Sequence, residues 1–354
     1  SKLDFPTLTE LTCPLFKRWA NLNESTGISI VFVSSFLKNP ASTFGHLLIK
    51  FNSNNRHFGH SLLRPTLNFG AIVNPDDNPF TYALRGIFGG YEGRFTDERF
   101  YNFNHVYGEN ELRDLWEYPL HFNREQQYRI TFHAWELLQN VQFEYYFFLD
   151  NCAYRMAELL EMAWTDSTRI NTSGALWAIP VDVVFKLNKI SSDSNKLVPL
   201  LGEPRLIPSR QRKLQTRATQ LSELEHMHLK KLIKYENYID SNDFRNLTEQ
   251  SQAQIIDVLL DHQQYQKTVE PDLKLNPERS KLLLFRSKLP ILENEFSFEK
   301  TKSPTEGTPP MRFRLGTVFN NFLGSALETG VWANYHDLLG EESGHLLNLS
   351  LIHI

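Results

Sequence analysis

The chain has 354 residues, of which 41% are hydrophobic and 22% are charged, and its formal net charge at pH 7 is −4. This composition is typical of a globular protein, and the charge balance does not indicate a nucleic-acid partner. The two cysteines, Cys13 and Cys152, are too few for a disulfide framework or a cysteine-based zinc site. An oxidising compartment would still allow them to bond to each other.

The chain begins with patterns that predict one short helix and three strands. The helix is expected over 11–22, and a buried strand is expected over 27–35. A second strand follows the turn signal at Asn39 and Pro40, and a third contains Pro65, which favours a sheet edge or a bulge. The longest apolar run, residues 29–37, has the length of a strand and not of a membrane helix.

The next part alternates loop, strand and helix signals. Glycines and aromatic residues over 82–103 predict a long ordered loop with pieces of strand. A short helix and then a strand are expected from Glu109, and an amphipathic helix with an N-cap is expected from Asn123. A β-prone run covers 145–149. Together these elements predict an α+β domain with strands and helices in alternation.

The character of the chain changes near Leu206. We predict an α+β domain over 1–205, a charged helical region over 206–295, a linker over 296–310 and a β segment over 311–354. The last segment stops inside a strand-like run, so we expect more protein to follow. Membrane association through that missing part is one possibility.

Cys152 directly follows an Asp-Asn pair and begins a pattern typical of a helix. Asn151 is a preferred N-cap residue, which leaves Cys152 in the first turn. The unpaired backbone N–H groups and the dipole of a helix N-terminus favour an anion there, so this position lowers the pKa of a thiol. The plainer interpretation is that Cys152 is a small buried hydrophobic residue.

A nucleophilic thiol needs a base within hydrogen-bond reach, and the chain has twelve histidines. His46 follows Gly45 and opens a buried strand, where a polar ring is costly unless it is paired. Taken alone, His46 is either a catalytic base or a core histidine bonded to the backbone. His57 and His60 lie in a polar break and are expected to be solvated.

Several segments resemble, in the same order, the bacterial envelope family called the Lnb N-terminal periplasmic domain. They are NPASTFGHLLIKF, LNFGA, YALRGIFGGYEGRF, ELRDLWEYPL, HAWELL, YYFFLDNCAYRMAELLE and WAIPVDVV. The resemblance spans residues ~15 to ~210. It implies a periplasmic or envelope location and an α+β, circularly permuted papain-like core of the NlpC type, with an antiparallel sheet and a nucleophile helix. In that core, as in the lecithin retinol acyltransferases, the histidine strand precedes the cysteine helix.

The resemblance implies that Cys152 is the nucleophile, His46 the general base and Asn68 the residue that orients the base. His60 is the alternative to Asn68. Four other residues match motif positions and are implied to support the site or bind substrate: Ser42, Tyr91, Asn151 and Arg155.

Two of these supporting residues have a second interpretation. Arg155 lies one helical turn after Cys152, so it either favours the thiolate, binds substrate or fastens the helix through an ion pair. Tyr91 either lines the cleft or packs a loop. Ala153 stands where the family often has serine, which removes one hydroxyl and leaves the implied pair intact.

The implied reaction begins with attack of the thiolate on an ester or amide carbonyl and continues through an acyl-enzyme. With an amine acceptor the protein is an acyltransferase, most concretely one that N-acylates lipoproteins from a phospholipid donor. With water it is a hydrolase, such as a peptidoglycan amidase or endopeptidase. A third alternative is an inactive scaffold that binds lipid or peptide. We expect no cofactor and no metal.

Overall fold

The structure is a computed structural model, and it describes residues 13–36, 42, 44–53, 61–165, 170, 178–193, 199–272, 279–292, 301–322 and 324–332. The chain divides into two compact units. The first comprises Ser1–Asn104, Trp116–Leu206 and Lys302–Ile354, and the second comprises His105–Leu115 and Ile207–Thr301. The four-part division predicted from the sequence stays a prediction.

Helices and strands are interspersed along the first part of the chain, with three successive strands after α1. The elements up to residue 207 are α1 (Pro14–Ala20), β1 (Ser25–Val33), β2 (His46–Ser53), β3 (Pro65–Ile72), α2 (Pro79–Phe88), β4 (Tyr91–Arg99), α3 (Phe100–Phe103), β5 (Leu115–Leu120), α4 (Arg124–Asn140), β6 (Gln142–Tyr145), α5 (Cys152–Glu161), α6 (Pro180–Asp193) and β7 (Arg205–Ile207). Those that follow are α7 (Arg210–Thr219), α8 (Glu223–Lys234), α9 (Asn242–Arg245), α10 (Glu249–Val269), α11 (Arg279–Arg286), β8 (Arg312–Asn320) and β9 (Gly324–Trp332).

Seven strands form one sheet in the order β6-β4-β3-β2-β1-β5-β7, and the pairs among β1, β2, β3, β4 and β6 are antiparallel. This confirms an α+β fold with an antiparallel sheet. At one end of the sheet, β2 begins at His46, β3 ends at Ile72, β4 begins at Tyr91 and β6 ends at Tyr145. We call this end the His46 end.

One face of the sheet forms the hydrophobic core of the first unit together with α4, α5 and α6. Alternate residues of β1, β2 and β3 supply the sheet side of this core: Ile28, Ile30, Phe32, Leu47, Ile49, Leu67 and Phe69. The helix side includes Ala134 of α4, Ala153 and Met156 of α5, and Val184 of α6. Burial of each large apolar side chain contributes about 1.5–3 kcal/mol, so this core fixes α5 on the sheet.

Two local predictions are wrong. Pro65 is the first residue of β3, which lies between β2 and β4 and not at an edge. A strand can begin with proline because its first residue need not donate to the ladder. The predicted loop over 82–103 is instead mainly the second half of α2 followed by β4, since Asn78 caps α2 and accepts from the N–H groups of its first turn.

The opposite face of the sheet contains a buried ion pair. Nζ of Lys50 lies 3.0 Å from Oε1 of Glu117, and the two side chains are 1% and 6% exposed. Arg205 also pairs with Glu117, and Nζ of Lys50 donates to Ser61 at 2.6 Å. Burial opposes ionisation of Glu117, but the charges of Lys50 and Arg205 outweigh it and hold the pKa of this carboxyl below its usual range.

The second unit is helical, as the sequence pattern over 206–295 predicts. Its core draws on α8, α9, α10 and α11 through Leu229, Leu232, Phe244, Ile255, Ile256 and Leu282. Side chains of Ser209, Ser222, Ser241 and Thr248 cap the starts of four of its helices. Each such cap contributes about 1 kcal/mol to helix stability.

Part of the predicted linker is packed. Ser303 is 1% exposed, its Oγ lies 2.9 Å from the hydroxyl of Tyr118, and it forms a capping box with Glu306. The β character predicted after residue 311 is confirmed for the hairpin of β8 and β9, whereas residues 333–354 lie outside the described part. Within the described residues, no helix is long and apolar enough to cross a membrane.

Candidate functional site

Cys152 is the first residue of α5, and Asn151 is its N-cap, as the sequence predicts. Oδ1 of Asn151 accepts hydrogen bonds from the backbone N–H groups of Ala153 at 2.9 Å and Tyr154 at 3.2 Å. Cys152 is 3% exposed. Its sulfur therefore belongs to the first turn, where the helix dipole favours the thiolate.

Asn151 also holds the segment that leads to α5. Its Nδ2 donates to the backbone carbonyls of Phe147 at 3.0 Å and Ala178 at 2.8 Å. The side chain is 4% exposed and uses both ends of its amide inside the protein. These contacts give Asn151 a positioning role beside Cys152.

His46 contacts Asn68 across β2 and β3. Nε2 of His46 lies 2.6 Å from Oδ1 of Asn68, and Nδ2 of Asn68 donates to Oγ1 of Thr96 at 3.2 Å. An amide oxygen accepts, so Nε2 carries the hydrogen in this contact and the lone pair of the neutral ring is on Nδ1. The amide thus holds the imidazole in the tautomer whose Nδ1 can take a proton.

The turn before His46 requires glycine. Gly45 has φ +93°, and a Cβ there would lie 2.7 Å from the ring of Phe32 and from a backbone carbonyl. The carbonyl of Ser42 accepts from the N–H groups of Gly45 at 2.9 Å and Phe36 at 3.0 Å. Ser42 therefore helps to fix the turn that delivers His46 to the end of the sheet.

The topology brings the segments of His46 and Cys152 to the same end of the sheet. β6 ends at Tyr145, at the His46 end, and six residues separate it from the start of α5. α5 packs against β2 and β3. The ring centroids of Phe44 and Phe148 lie 5.7 Å apart, so the two segments that precede His46 and Cys152 are in contact.

Arg155 is engaged in ion pairs. Its Nη2 lies 3.1 Å from Oδ2 of Asp150, and its Nη1 lies 2.8 Å from Oε2 of Glu158. The guanidinium also lies over the ring of Phe143, 4.0 Å from the centroid. These contacts match the ion-pair interpretation, in which Arg155 fastens the start of α5.

The side chain of Tyr91 is buried in the hydrophobic core. It is 4% exposed and its hydroxyl donates to Oδ2 of Asp77 at 2.6 Å. Burial and this hydrogen bond raise the pKa of Tyr91 to about 12. Arg85 pairs with the same carboxylate at 2.9 Å. Tyr91 therefore stabilises the His46 end of the sheet as a packing residue of β4.

The family model described as the Lnb N-terminal periplasmic domain matches residues 15–189, a range that contains both His46 and Cys152. Residues 15–189 of the chain belong to this family. The Lnb N-terminal periplasmic domain is periplasmic, which places the protein in the cell envelope. No curated protein and no solved structure matches the chain.

The alternatives left open for the cysteines and for His60 have different outcomes. Cys13 is exposed and Cys152 is buried, and no disulfide joins them. His60 lies outside the described residues, and its role as an alternative to Asn68 stays a prediction.

Among the described residues, no group of three or more potential ligands could hold a metal ion.

Sequence reasoning missed two features of the Lnb domain near the site. Thr96 supports Asn68, but the pattern over 82–103 predicts a loop at its position and not a strand. A groove of about 640 Å³ runs along α5, and its lining includes Arg155, Leu159 and Met162. These three residues continue the helical stripe that starts at Cys152, because i+3, i+7 and i+10 share one face. We call it the α5 groove.

Proposed function

We propose that the Lnb N-terminal periplasmic domain of this chain is a cysteine-dependent acyl-transfer enzyme on a circularly permuted papain-like core of the NlpC type. Cys152 is the nucleophile, His46 is the general base and Asn68 orients the base. The observation that carries this proposal is the 2.6 Å contact of His46 with Asn68, at the end of the sheet beside the start of α5. The same three residue types serve papain-like proteases.

In the proposed reaction, His46 carries out three proton transfers. Nδ1 of His46 takes the proton of the Cys152 thiol, and the thiolate attacks the carbonyl carbon of an ester. The C–O bond breaks, the alcohol leaves with the proton from the imidazolium, and a thioester remains on Cys152. An amine then attacks the thioester, gives a proton to His46 and releases the thiolate. The N-terminus of α5, including the N–H of Cys152, stabilises the oxyanion in both steps.

The fold restricts where this pair can meet. Alternation along β2 puts His46 on the sheet face of Leu48 and Lys50, whereas Leu47 and Ile49 share the core with α5. The proposal therefore requires the imidazole and the sulfur to meet beyond the end of the sheet and not across it. His46 is the first residue of its strand, which makes this geometry accessible.

The preferred reaction is N-acylation of a lipoprotein amine from a phospholipid donor. The periplasmic family supports an envelope substrate. The α5 groove supports an acyl chain through Leu159 and Met162, an apolar side that begins about two turns from Cys152, whereas Arg155, Glu158 and Glu161 make another part of its lining charged. From Tyr154 to Met162, the part of the chain along α5 that lines the groove, the helix rises roughly 12 Å.

The test supplies the protein with phospholipid plus a diacylated lipopeptide and, separately, with peptidoglycan. We expect a triacylated peptide, a lysophospholipid and a thioester on Cys152, all detected by mass spectrometry. Cys152→Ala should abolish every product, while Cys13→Ser, the matched control, should retain them. Product from peptidoglycan alone would identify a hydrolase. Absence of a thioester with either substrate would favour the inactive scaffold.

A further inference from the structure

A second groove, of about 550 Å³, lies in the first unit at the end of the sheet opposite the His46 end. Trp19 of α1, Phe51 of β2 and Trp135 of α4 contribute its aromatic wall, and we call it the Trp19 groove. Phe51 follows His46 by five residues in β2, so the groove is roughly 17 Å along the strand from the candidate catalytic histidine. Its volume lies within the range of small-molecule sites.

The aromatic wall is fixed in place. The ring centroids of Trp19 and Phe51 are 5.4 Å apart in an edge-to-face arrangement, and those of Trp19 and Trp135 are 5.4 Å apart. Nε1 of Trp19 donates to Oδ2 of Asp97 at 2.7 Å, which sets the orientation of the indole. The groove therefore presents a preorganised apolar surface, and a ligand would bind it without ordering these side chains.

The rim of the Trp19 groove is polar and has no net charge. Two cations, Arg18 and Arg99, are balanced by two anions, Asp97 and Glu98. Arg18 is exposed and makes no hydrogen bond or ion pair with the residues that the structure describes. Amide and hydroxyl groups complete the rim: Asn21, Ser25, Asn52, Ser53, Asn102 and Thr131. Such a rim offers hydrogen-bond donors and acceptors, but it has no net electrostatic potential that would favour a cation or an anion.

We propose that the Trp19 groove binds an uncharged saccharide. A sugar ring carries C–H groups on its faces and hydroxyls around its edge, which matches fixed aromatic faces bordered by polar groups. A free acyl chain would cover the polar and charged rim, Arg18 included, without offering it a hydrogen bond, and an anion would meet a rim with no net positive charge. The proposal is independent of the proposed function, because it uses none of the residues of the Cys152 site.

The test is calorimetric titration of the full chain with the tetrasaccharide of N-acetylglucosamine, which stands for glycan strands of peptidoglycan. The neutral part of a lipopolysaccharide core oligosaccharide is the second probe and distinguishes the two envelope sources. We expect saturable binding with one site. Trp135→Ala should weaken it at least tenfold, and Arg18→Ala, an exposed change that the fold tolerates, should weaken it several-fold. Trp164→Ala, a tryptophan outside the groove, is the matched control.

Binding by Cys152→Ala should equal that of the wild type, which separates this proposal from the catalytic one. The proposal is overturned if neither saccharide binds, or if binding is the same in Trp135→Ala, Arg18→Ala and the wild type. It is also overturned if only a fatty acid or a charged sugar binds in a manner that depends on Trp135.

Discussion

Nε2 of His46 and Oδ1 of Asn68 lie 2.6 Å apart on neighbouring antiparallel strands. The pairing of Ile49 with Leu67 sets the register that brings these two side chains onto one face. The contact fixes the ring orientation and leaves Nδ1 as the basic nitrogen. Under the proposed function, this contact prepares the imidazole to act on the thiol at the start of α5.

Removal of the Asn68 amide should lower the reactivity of the Cys152 thiol without unfolding the protein. We expect Asn68→Ala to lower the rate of thioester formation from an activated ester on the order of 10²-fold, because the imidazole loses its orientation. Asn68→Asp should restore much of the rate and shift its pH dependence upward, since a carboxylate stabilises the imidazolium. Single-turnover rates between pH 5 and pH 9 check this. Wild-type rates in Asn68→Ala would remove Asn68 from the site.

Asn151 should be more important for stability than an ordinary N-cap. Asn151→Ala loses the cap of α5 and leaves the buried carbonyls of Phe147 and Ala178 without their donor. We expect a loss of about 3 kcal/mol or more in the free energy of unfolding. Asn123→Ala, which removes the exposed capping box of α4, is the control and should lose about 1 kcal/mol. Equal losses in urea unfolding would contradict the positioning role.

Tyr91 should affect stability and not thiol chemistry. Tyr91→Phe loses the hydrogen bond to Asp77, so we expect a loss of about 1.5–3 kcal/mol with unchanged alkylation of Cys152. The pKa of Tyr91 is about 12 in the folded state against an ordinary 10.0. The protonated hydroxyl of Tyr91 therefore contributes fully to the free energy of unfolding below pH 10, and this contribution is lost as the pH rises from 10 towards 12. Unfolding at pH 8 and pH 11 should show the difference between the two proteins shrinking at the higher pH.

The buried pair of Lys50 and Glu117 should make the protein sensitive to acid. The pKa of Glu117 is lower in the folded state than its ordinary value of 4.5. The ionised carboxylate therefore contributes fully to the free energy of unfolding above pH 4.5, and this contribution is lost as the pH falls through the pKa of the folded state. Glu117→Gln should lose about 3 kcal/mol at pH 7, since Lys50 is then buried without its carboxylate. The difference from the wild type should shrink below pH 4.5.

A double variant provides the control for this pair. Lys50→Met with Glu117→Met should be more stable than Glu117→Gln alone, because no unpaired charge remains buried. Urea unfolding at pH 3.5, 5 and 7 measures all three proteins. A difference between wild type and Glu117→Gln that is constant from pH 7 to pH 3.5 would show that Glu117 is not ionised in the fold.

Local signals predicted the start of α5 correctly. Asn151 as N-cap, Cys152 in the first turn and the N-cap at Asn123 depend on neighbouring residues alone. The boundary between α2 and β4 was missed because glycines and aromatics obscured the cap at Asn78. The sequence pattern of a strand is weaker when glycine interrupts it.

Contacts between distant residues could not be read from the sequence. Lys50 and Glu117 are 67 positions apart, and the pairing depends on the order of strands in the sheet. The hydrogen bond between Asn68 and Thr96 likewise depends on which strands are neighbours in the sheet. The Trp19 groove needs α1, β2 and α4 to converge, which no local pattern encodes. The resemblance to the family pointed to His46 and Asn68, whose contact depends on the pairing of β2 with β3.

The most direct test of the central claim is the pH dependence of Cys152 alkylation by iodoacetamide. It is measured in a Cys13→Ser background, because the exposed Cys13 would also react. We predict that the rate for Cys152 has its midpoint well below pH 8.5, the ordinary value for a thiol, and that His46→Ala moves the midpoint up to about 8.5. The same midpoint with and without His46 would contradict a thiolate and imidazole pair.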